Sequence, residues 1–148
     1  MTALEIREAS NSDLPALLEL YMQLHDNPMP EINEKLKTLW TSILAQPDHH
    51  VLVGIEDQRL VCSCVLIVVP NLTRSQRPYA LIENVITDQA YRNRGHATSI
   101  LQFAKNIAQH ENCYKIMLMT SSKQESTLRF YERAGYNRQD KTAFIQWL

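Results

Sequence analysis

The stretch Leu60 to Pro70, LVCSCVLIVVP, constrains this chain more than any other. It is apolar almost throughout, interrupted at Ser63 and stopped by a proline. A strand with one wet face alternates apolar and polar residues, whereas a strand covered on both faces reads as a nearly continuous apolar run. The run is far short of the roughly 20 residues that a membrane-spanning helix needs. It therefore predicts a central strand, and the flanking segments must supply a layer for each of its faces.

Those layers can be read on both sides of it. Leu4 to Ala9 alternates, Leu4 and Ile6 against Glu5 and Arg7, as a half-buried strand does. Asn11-Ser12-Asp13 supplies caps, Pro15 suits a first helical turn, and Leu14, Leu17, Leu18, Tyr21 and Leu24 follow at helical spacing. Asn27-Pro28-Met29-Pro30 breaks that pattern. A second amphipathic helix runs from about Glu31 to Gln46, with Ile32, Leu36, Leu39, Trp40 and Ile43 inward, and stops before Pro47. Val51 to Glu56 pairs with the central strand through Asp57-Gln58-Arg59 as a hairpin.

After a polar loop, Pro70 to Pro78, come a strand from Ala80 to Thr87, a helix to about Glu111 and a strand from Lys115 to Thr120. Ser122-Lys123-Gln124-Glu125 reads as a capping box. The helix it opens has Leu128, Tyr131 and Ala134 on one face and Gly135 at its C-terminal end. Short strands near Tyr136 to Arg138 and from Thr142 to Leu148 close the chain as a hairpin. This order predicts an α/β (α+β) fold, a single mixed, mostly antiparallel sheet of about seven strands with helices on both faces. Residues 1–148 read as one domain.

Composition narrows the partners. The formal net charge of −1 argues against a nucleic-acid binder, which needs a basic excess. The N-terminal residues Met1 to Glu8 carry acids where a signal peptide has an apolar core, and no segment suits a membrane. Of the three cysteines, Cys62 and Cys64 share one face of a strand, as core residues do, and Cys113 stands apart. No further Cys or His pair has metal-ligand spacing, so no metal site is expected. Free thiols fit a reducing, cytoplasmic setting.

The stretch Tyr91-Arg92-Asn93-Arg94-Gly95-His96-Ala97-Thr98 lies between the Ala80 to Thr87 strand and a helix whose Ala97, Ile100, Leu101, Ala104 and Ala108 share a face. A strand that turns through glycine into a helix converges backbone N–H groups on one point, where the helix dipole favours an anion such as phosphate. After Asp88, no acid lies near this helix start; Arg92, Arg94 and His96 do instead. Cations there are unfavourable unless an anion arrives. From this stretch alone, a tight turn with two solvated arginines reads equally well.

A second motif decides between them. Arg92-x-x-Gly95-x-Ala97, after Ile82-Glu83-Asn84-Val85-Ile86, is followed by Phe130-Tyr131-Glu132-Arg133-Ala134-Gly135-Tyr136. Together these motifs and the element order resemble the GNAT superfamily of acetyl-coenzyme A (acetyl-CoA)-dependent N-acetyltransferases along the whole chain. The resemblance implies that Arg92, Asn93, Arg94, Gly95, His96, Ala97 and Thr98 hold the coenzyme A pyrophosphate. It implies that the backbone of Val85, Ile86 and Thr87 pairs with the pantetheine arm, its amide aimed at the thioester carbonyl. Tyr131 matches the tyrosine that protonates the departing thiolate, and Glu83 a common position for the general base. His96 is bulkier than the residue most members carry there, and Gln124 stands where an Asn is frequent. Cys113-Tyr114-Lys115-Ile116 also resembles members that acetylate glucosamine phosphate or aminoalkylphosphonates.

The chemistry makes three demands: an amine stripped of its proton, a donor for the developing oxyanion, and a proton for a thiolate whose pKa lies near 8.5. On spacing alone Tyr131 reads as a core aromatic, and the resemblance is what gives it the acid role. Glu83 alternates with Leu81 and Val85, which places it on an apolar face, partly desolvated; an exposed edge residue or a structural ion pair is its other reading. His25 is a second candidate base. The acceptor is expected among Tyr21, His25, Asn27 and Met29, the 70–78 loop and the C-terminal hairpin, with Arg74 and Arg77 available to a phosphate or carboxylate. His49 and His50 read as structural.

The expectation is an enzyme moving acetyl from acetyl-CoA to a primary amine of a small molecule: an amino sugar phosphate, an aminophosphonate or a polyamine-like acceptor. A protein or peptide N-acetyltransferase and a catalytically silent acyl-coenzyme A sensor are the alternatives. A homodimer is an open arrangement that no residue specifies.

Overall fold

The computed structural model describes residues 2–25 and 27–148. The chain divides into two compact units, Met1–Met117 and Leu118–Leu148.

The first unit is built on strands β1 (Glu5–Glu8), β2 (His49–Glu56), β3 (Arg59–Val69) and β4 (Tyr79–Thr87). With β5 (Ile116–Leu118), which reaches the boundary of the unit, they form a sheet of five strands lying in chain order. The pairs β1–β2, β2–β3 and β3–β4 are antiparallel. The apolar run is β3, between β2 and β4, and it is buried on both faces. Ser63, its polar interruption, donates its Oγ hydrogen to the Leu52 carbonyl at 2.7 Å, so the buried hydroxyl is satisfied.

Alternation along β3 sends its residues to two layers. Val65, with Val51 and Val53 of β2, packs against Leu14 and Leu17 of α1 (Leu14–Tyr21) and Trp40 of α2 (Glu34–Ala45). Cys62, Cys64 and Leu66 point the other way, toward the face on which α4 (His96–His110) packs Ile100, Leu101 and Ala104. Burial pushes the Cys62 and Cys64 thiols up to about 12, so they behave as small apolar residues. Gly54 lies opposite Cys62; a Cβ there would overlap the Cys62 sulfur and meet Leu4 Cδ1 at 3.2 Å.

Two local details depart from expectation for identifiable reasons. Helix α2 starts at Glu34 because Asn33 Oδ1 accepts the Leu36 N–H at 3.0 Å and so caps it. Leu39 is 54% exposed instead of inward. A single turn, α3 (Thr73–Gln76), occupies the loop before β4; Arg74 and Ser75 within it are left-handed.

In the second unit, α5 (Glu125–Arg133) begins three residues after the expected cap. Ser122 is engaged elsewhere: its Oγ accepts the Gln124 N–H at 3.3 Å and bonds to Thr127 Oγ1 at 3.1 Å. The helix ends as the sequence predicts. Gly135, at φ 100°, donates to Glu132 O at 3.0 Å and Tyr136 N–H donates to Tyr131 O at 3.0 Å, a paired closure that a left-handed glycine permits. The closing hairpin is not formed. Residues 137–148 contain no strand, and Phe144 and Trp147 are 91% and 85% exposed. Alternation selects a face for such a segment but supplies no partner edge, and a two-stranded hairpin is marginal alone. The sheet therefore has five strands where about seven are expected.

Candidate active site

Strand β4 breaks its own ladder at the residues singled out by sequence. Val65 lies opposite Glu83 and Ser63 opposite Ile86, so Cys64 faces two residues, Asn84 and Val85. This is a β-bulge, with Asn84 in the left-handed region at φ 52°. The extra residue resets the alternation: Glu83 and Asn84 are both exposed, Val85 and Thr87 are half-buried and Ile86 is buried. Glu83 is thus not the partly desolvated residue that regular alternation with Leu81 and Val85 predicts. The bulge leaves the Asn84–Val85 backbone outside the β3 ladder and presents Glu83 to solvent.

The turn after β4 is fixed by a chain of local bonds. Asp88 Oδ1 accepts the Ala90 N–H at 2.9 Å, and Gln89 N–H donates to Gln23 Oε1 at 2.8 Å. Asn93, at φ 62°, and Gly95, at φ 81°, then reverse the chain, and α4 starts at His96. No side chain caps this helix. Its first backbone bond runs from Ser99 N–H to Gly95 O at 3.0 Å, so the N–H groups of His96, Ala97 and Thr98 precede every helical acceptor. Nothing lies within 4 Å of a Cβ built on Gly95, so the space beside the turn at this residue is open.

The cations of the turn are not uncompensated. Glu56, at the end of β2, is 5% exposed and places Oε2 3.0 Å from His96 Nε2 and 3.2 Å from Arg94 Nη1. Arg94 also donates to Ala90 O at 3.4 Å and lies 4.7 Å from the Tyr91 ring centroid. Arg92 Nε donates to Thr87 O at 3.2 Å. The acid absent from the helix start comes from 38 and 40 residues earlier in the chain. His96 is itself 7% exposed, so its bulk fills the interior beside Glu56 and its backbone alone faces the turn. Sequence reasoning missed Glu56; its one visible signal was an acid at the end of a largely apolar strand.

A cavity of about 370 Å³ lies between α1, α2 and the sheet. Its wall is mostly aliphatic, with Trp40; the polar residues on it are Tyr21, His49, Glu83 and Asn84. Burial holds the Tyr21 phenol above its ordinary range, partly offset by hydrogen bonds with Ser63 and Asn84. Burial, then the neighbouring His50, lowers His49. The other expected acceptor residues do not line this cavity. His25 and Met29 are exposed, and Asn27 Nδ2 donates to Tyr21 O at 3.2 Å. Arg77 is held by the carbonyls of Asn112 and Cys113 at 3.2 and 3.1 Å, and Arg74 sits 5.7 Å from the Tyr114 ring centroid.

In the second unit, Gln124 is the exposed N-cap residue of α5, without a side-chain capping bond. Tyr131 is half-buried, with its ring edge-on to Phe130 at 5.0 Å and to Tyr136 at 6.2 Å. Among the described residues no group of three or more His, Cys, Asp or Glu side chains could hold a metal ion. No described helix is long and apolar enough to cross a membrane.

The profile of the Acetyltransferase (GNAT) family matches residues 14–136, most of the chain. This chain belongs to the GNAT acetyltransferase family. A glucosamine 6-phosphate N-acetyltransferase of Trypanosoma brucei brucei is 30% identical over 143 residues, 93% of this chain and 92% of that relative. A solved protein of Agrobacterium tumefaciens str. C58, described as a candidate acetyltransferase, is 39% identical with a TM-score of 0.91. That alignment covers 97% of this chain and 99% of the other. Glucosamine-6-phosphate N-acetyltransferase from Arabidopsis thaliana, 18% identical, shares the fold at a TM-score of 0.85 over 99% of each chain. This GNAT member is accordingly an acetyl-CoA-dependent acyltransferase.

Proposed function

We propose that this enzyme transfers acetyl from acetyl-CoA to a primary amine of a small molecule, by direct attack in a ternary complex. In the balanced reaction an ammonium loses one proton, its nitrogen forms a bond to the acetyl carbonyl carbon and then gives up a second proton. The carbon–sulfur bond breaks, the thiolate takes up a proton, and one proton is released overall. The observation that carries the reading is the uncapped start of α4, where the His96, Ala97 and Thr98 amides precede every helical acceptor and no side chain caps them. Such a start favours an anion, and the coenzyme supplies a pyrophosphate.

In this reading Arg92, Asn93, Arg94 and Gly95 shape and charge that turn, with His96 contributing its backbone, and the Val85–Thr87 backbone orients the pantetheine arm. Gln124 donates to the cofactor from its exposed position. Glu83, presented by the bulge, takes the ammonium proton directly or through water, and Tyr131 protonates the thiolate. Residues 1–148 act as one catalytic domain in the cytoplasm, on small molecules, and neither nucleic acid nor membrane takes part.

Calorimetric titration of acetyl-CoA, followed by a screen of amines for thiol release, tests the proposal. Binding with turnover on an amine is expected; binding with no turnover on any amine would turn the reading toward a silent sensor. Tyr131→Phe should lower kcat about 10²-fold. A kcat within twofold of the parent enzyme would remove Tyr131 from the mechanism.

A further inference from the structure

The acceptor classes compatible with the sequence, amino sugar phosphates, aminophosphonates and polyamines, are all strongly polar beyond the reacting nitrogen. The cavity is not. Its wall holds no lysine or arginine, and its aliphatic side chains and Trp40 surround four polar residues. Three of those, Tyr21, Glu83 and Asn84, gather at the β4 bulge, where Tyr21 hydrogen-bonds with Asn84 and Glu83 precedes it in the chain. His49 stands apart, at the start of β2. The bulge also adjoins Val85–Thr87, the strand end assigned above to the pantetheine arm.

We infer that the acceptor is a primary amine carried on an apolar aliphatic or aromatic body, seated in the cavity under α1 and α2. The inference rests on the acetyltransferase reading and names its substrate class. A cavity of about 370 Å³ is within the range for a small ligand. The ammonium sits at the Glu83 carboxylate and loses its proton there, while the body replaces water along the half-buried Leu18, Leu36, Ile43 and Ile67. A phosphate in this wall meets no cation, and burying an unpaired charge is unfavourable. Arg74 and Arg77, the nearest candidates by sequence, are engaged with Tyr114 and the carbonyls of Asn112 and Cys113. A polyamine has the same defect with opposite sign, because its second ammonium finds no second carboxylate among the lining residues.

The test compares 2-phenylethylamine and hexylamine with glucosamine 6-phosphate and spermidine. Each is titrated calorimetrically into the coenzyme A-saturated enzyme and assayed for thiol release with acetyl-CoA. Apolar amines should be preferred in kcat/KM by at least about tenfold, the scale on which an apolar pocket discriminates. Preference for glucosamine 6-phosphate or spermidine overturns the inference and leaves the enzyme reading intact. Binding of the apolar amines without thiol release from any amine leaves the site standing and removes the enzyme reading. Failure of every apolar amine to bind identifies the cavity as a packing void and overturns the inference. Leu39→Lys, at a wall position already 54% exposed, keeps the fold and puts a cation at the mouth. It should raise KM for 2-phenylethylamine about tenfold and leave KM for acetyl-CoA within twofold. An unchanged amine KM also overturns the inference.

Discussion

The turn at Tyr91–Thr98 and the cavity beneath α1 and α2 border the same strand, β4, yet they are built from opposite materials. The turn presents backbone: three helix-start amides, left-handed Asn93 and Gly95, and side chains that fold back onto the protein. The cavity presents side chains, contributed by α1, α2, β2, β3 and β4, with backbone only at the bulge. A surface of amides suits any phosphorylated cosubstrate of the right shape and tolerates much sequence change. A surface of side chains is reset by single substitutions. The difference teaches that cosubstrate and acceptor specificity can vary separately in this molecule, and substitutions on each side should split the two kinetic constants.

The largest effect belongs to the point where the two regions meet. Glu83→Gln should lower kcat about 10²-fold in steady-state thiol release, with acetyl-CoA affinity unchanged. An unchanged acidic limb of the rate–pH profile would take Glu83 out of the proton path.

Gly95→Asp tests the turn alone. A fixed negative charge beside the amides should weaken acetyl-CoA binding about tenfold by calorimetry. A Cβ there meets no neighbour, so only the left-handed backbone is strained, and the melting temperature should fall by about 2–5 °C. Equal losses of binding and stability would mark the turn as purely structural.

Glu56→Gln asks whether charge or backbone geometry sets the grip. It removes the carboxylate shared by the buried His96 and the exposed Arg94, and leaving the buried imidazole without that partner costs about 1–3 kcal/mol in denaturant unfolding. Acetyl-CoA affinity should drop about fivefold, because His96 carries the first of the uncapped amides. Tighter binding of acetyl-CoA would show that net charge governs instead.

Tyr21→Phe is the mildest, on the cavity side. Loss of its hydrogen bonds with Asn84 and Ser63 should raise the amine KM about threefold and leave the acetyl-CoA KM unchanged. Burial raises the Tyr21 phenol above its ordinary 10.0, so the folded state holds that proton more tightly than the unfolded state does. Stability from this group is complete below pH 10.0 and declines as pH rises through the folded value. Equilibrium unfolding at alkaline pH should lose that slope in Tyr21→Phe.

Legibility followed the range of the interaction. The doubly covered strand, the glycine turn and the α5 closure at Gly135 were readable because each is set by adjacent residues and backbone preference. The start of α5 was misplaced because Ser122 bonds Thr127, a choice between neighbours that spacing does not rank. Glu83 was assigned the wrong surroundings because one left-handed residue, Asn84, inverts the alternation that follows it. The C-terminal segment alternates like a strand, but alternation does not provide an edge to pair with.

The sequence by itself determined the covered central strand, the order of the main elements as far as α5, the turn and the family, because periodicity, caps and glycine act within a few residues. Only the tertiary structure decided that the turn's cations have Glu56 as counter-ion, that His96 is interior, and that Tyr21, Glu83 and Asn84 share a cavity. Those facts depend on residues dozens of positions apart meeting across the sheet, and pairing at that distance is set by packing that no local pattern encodes.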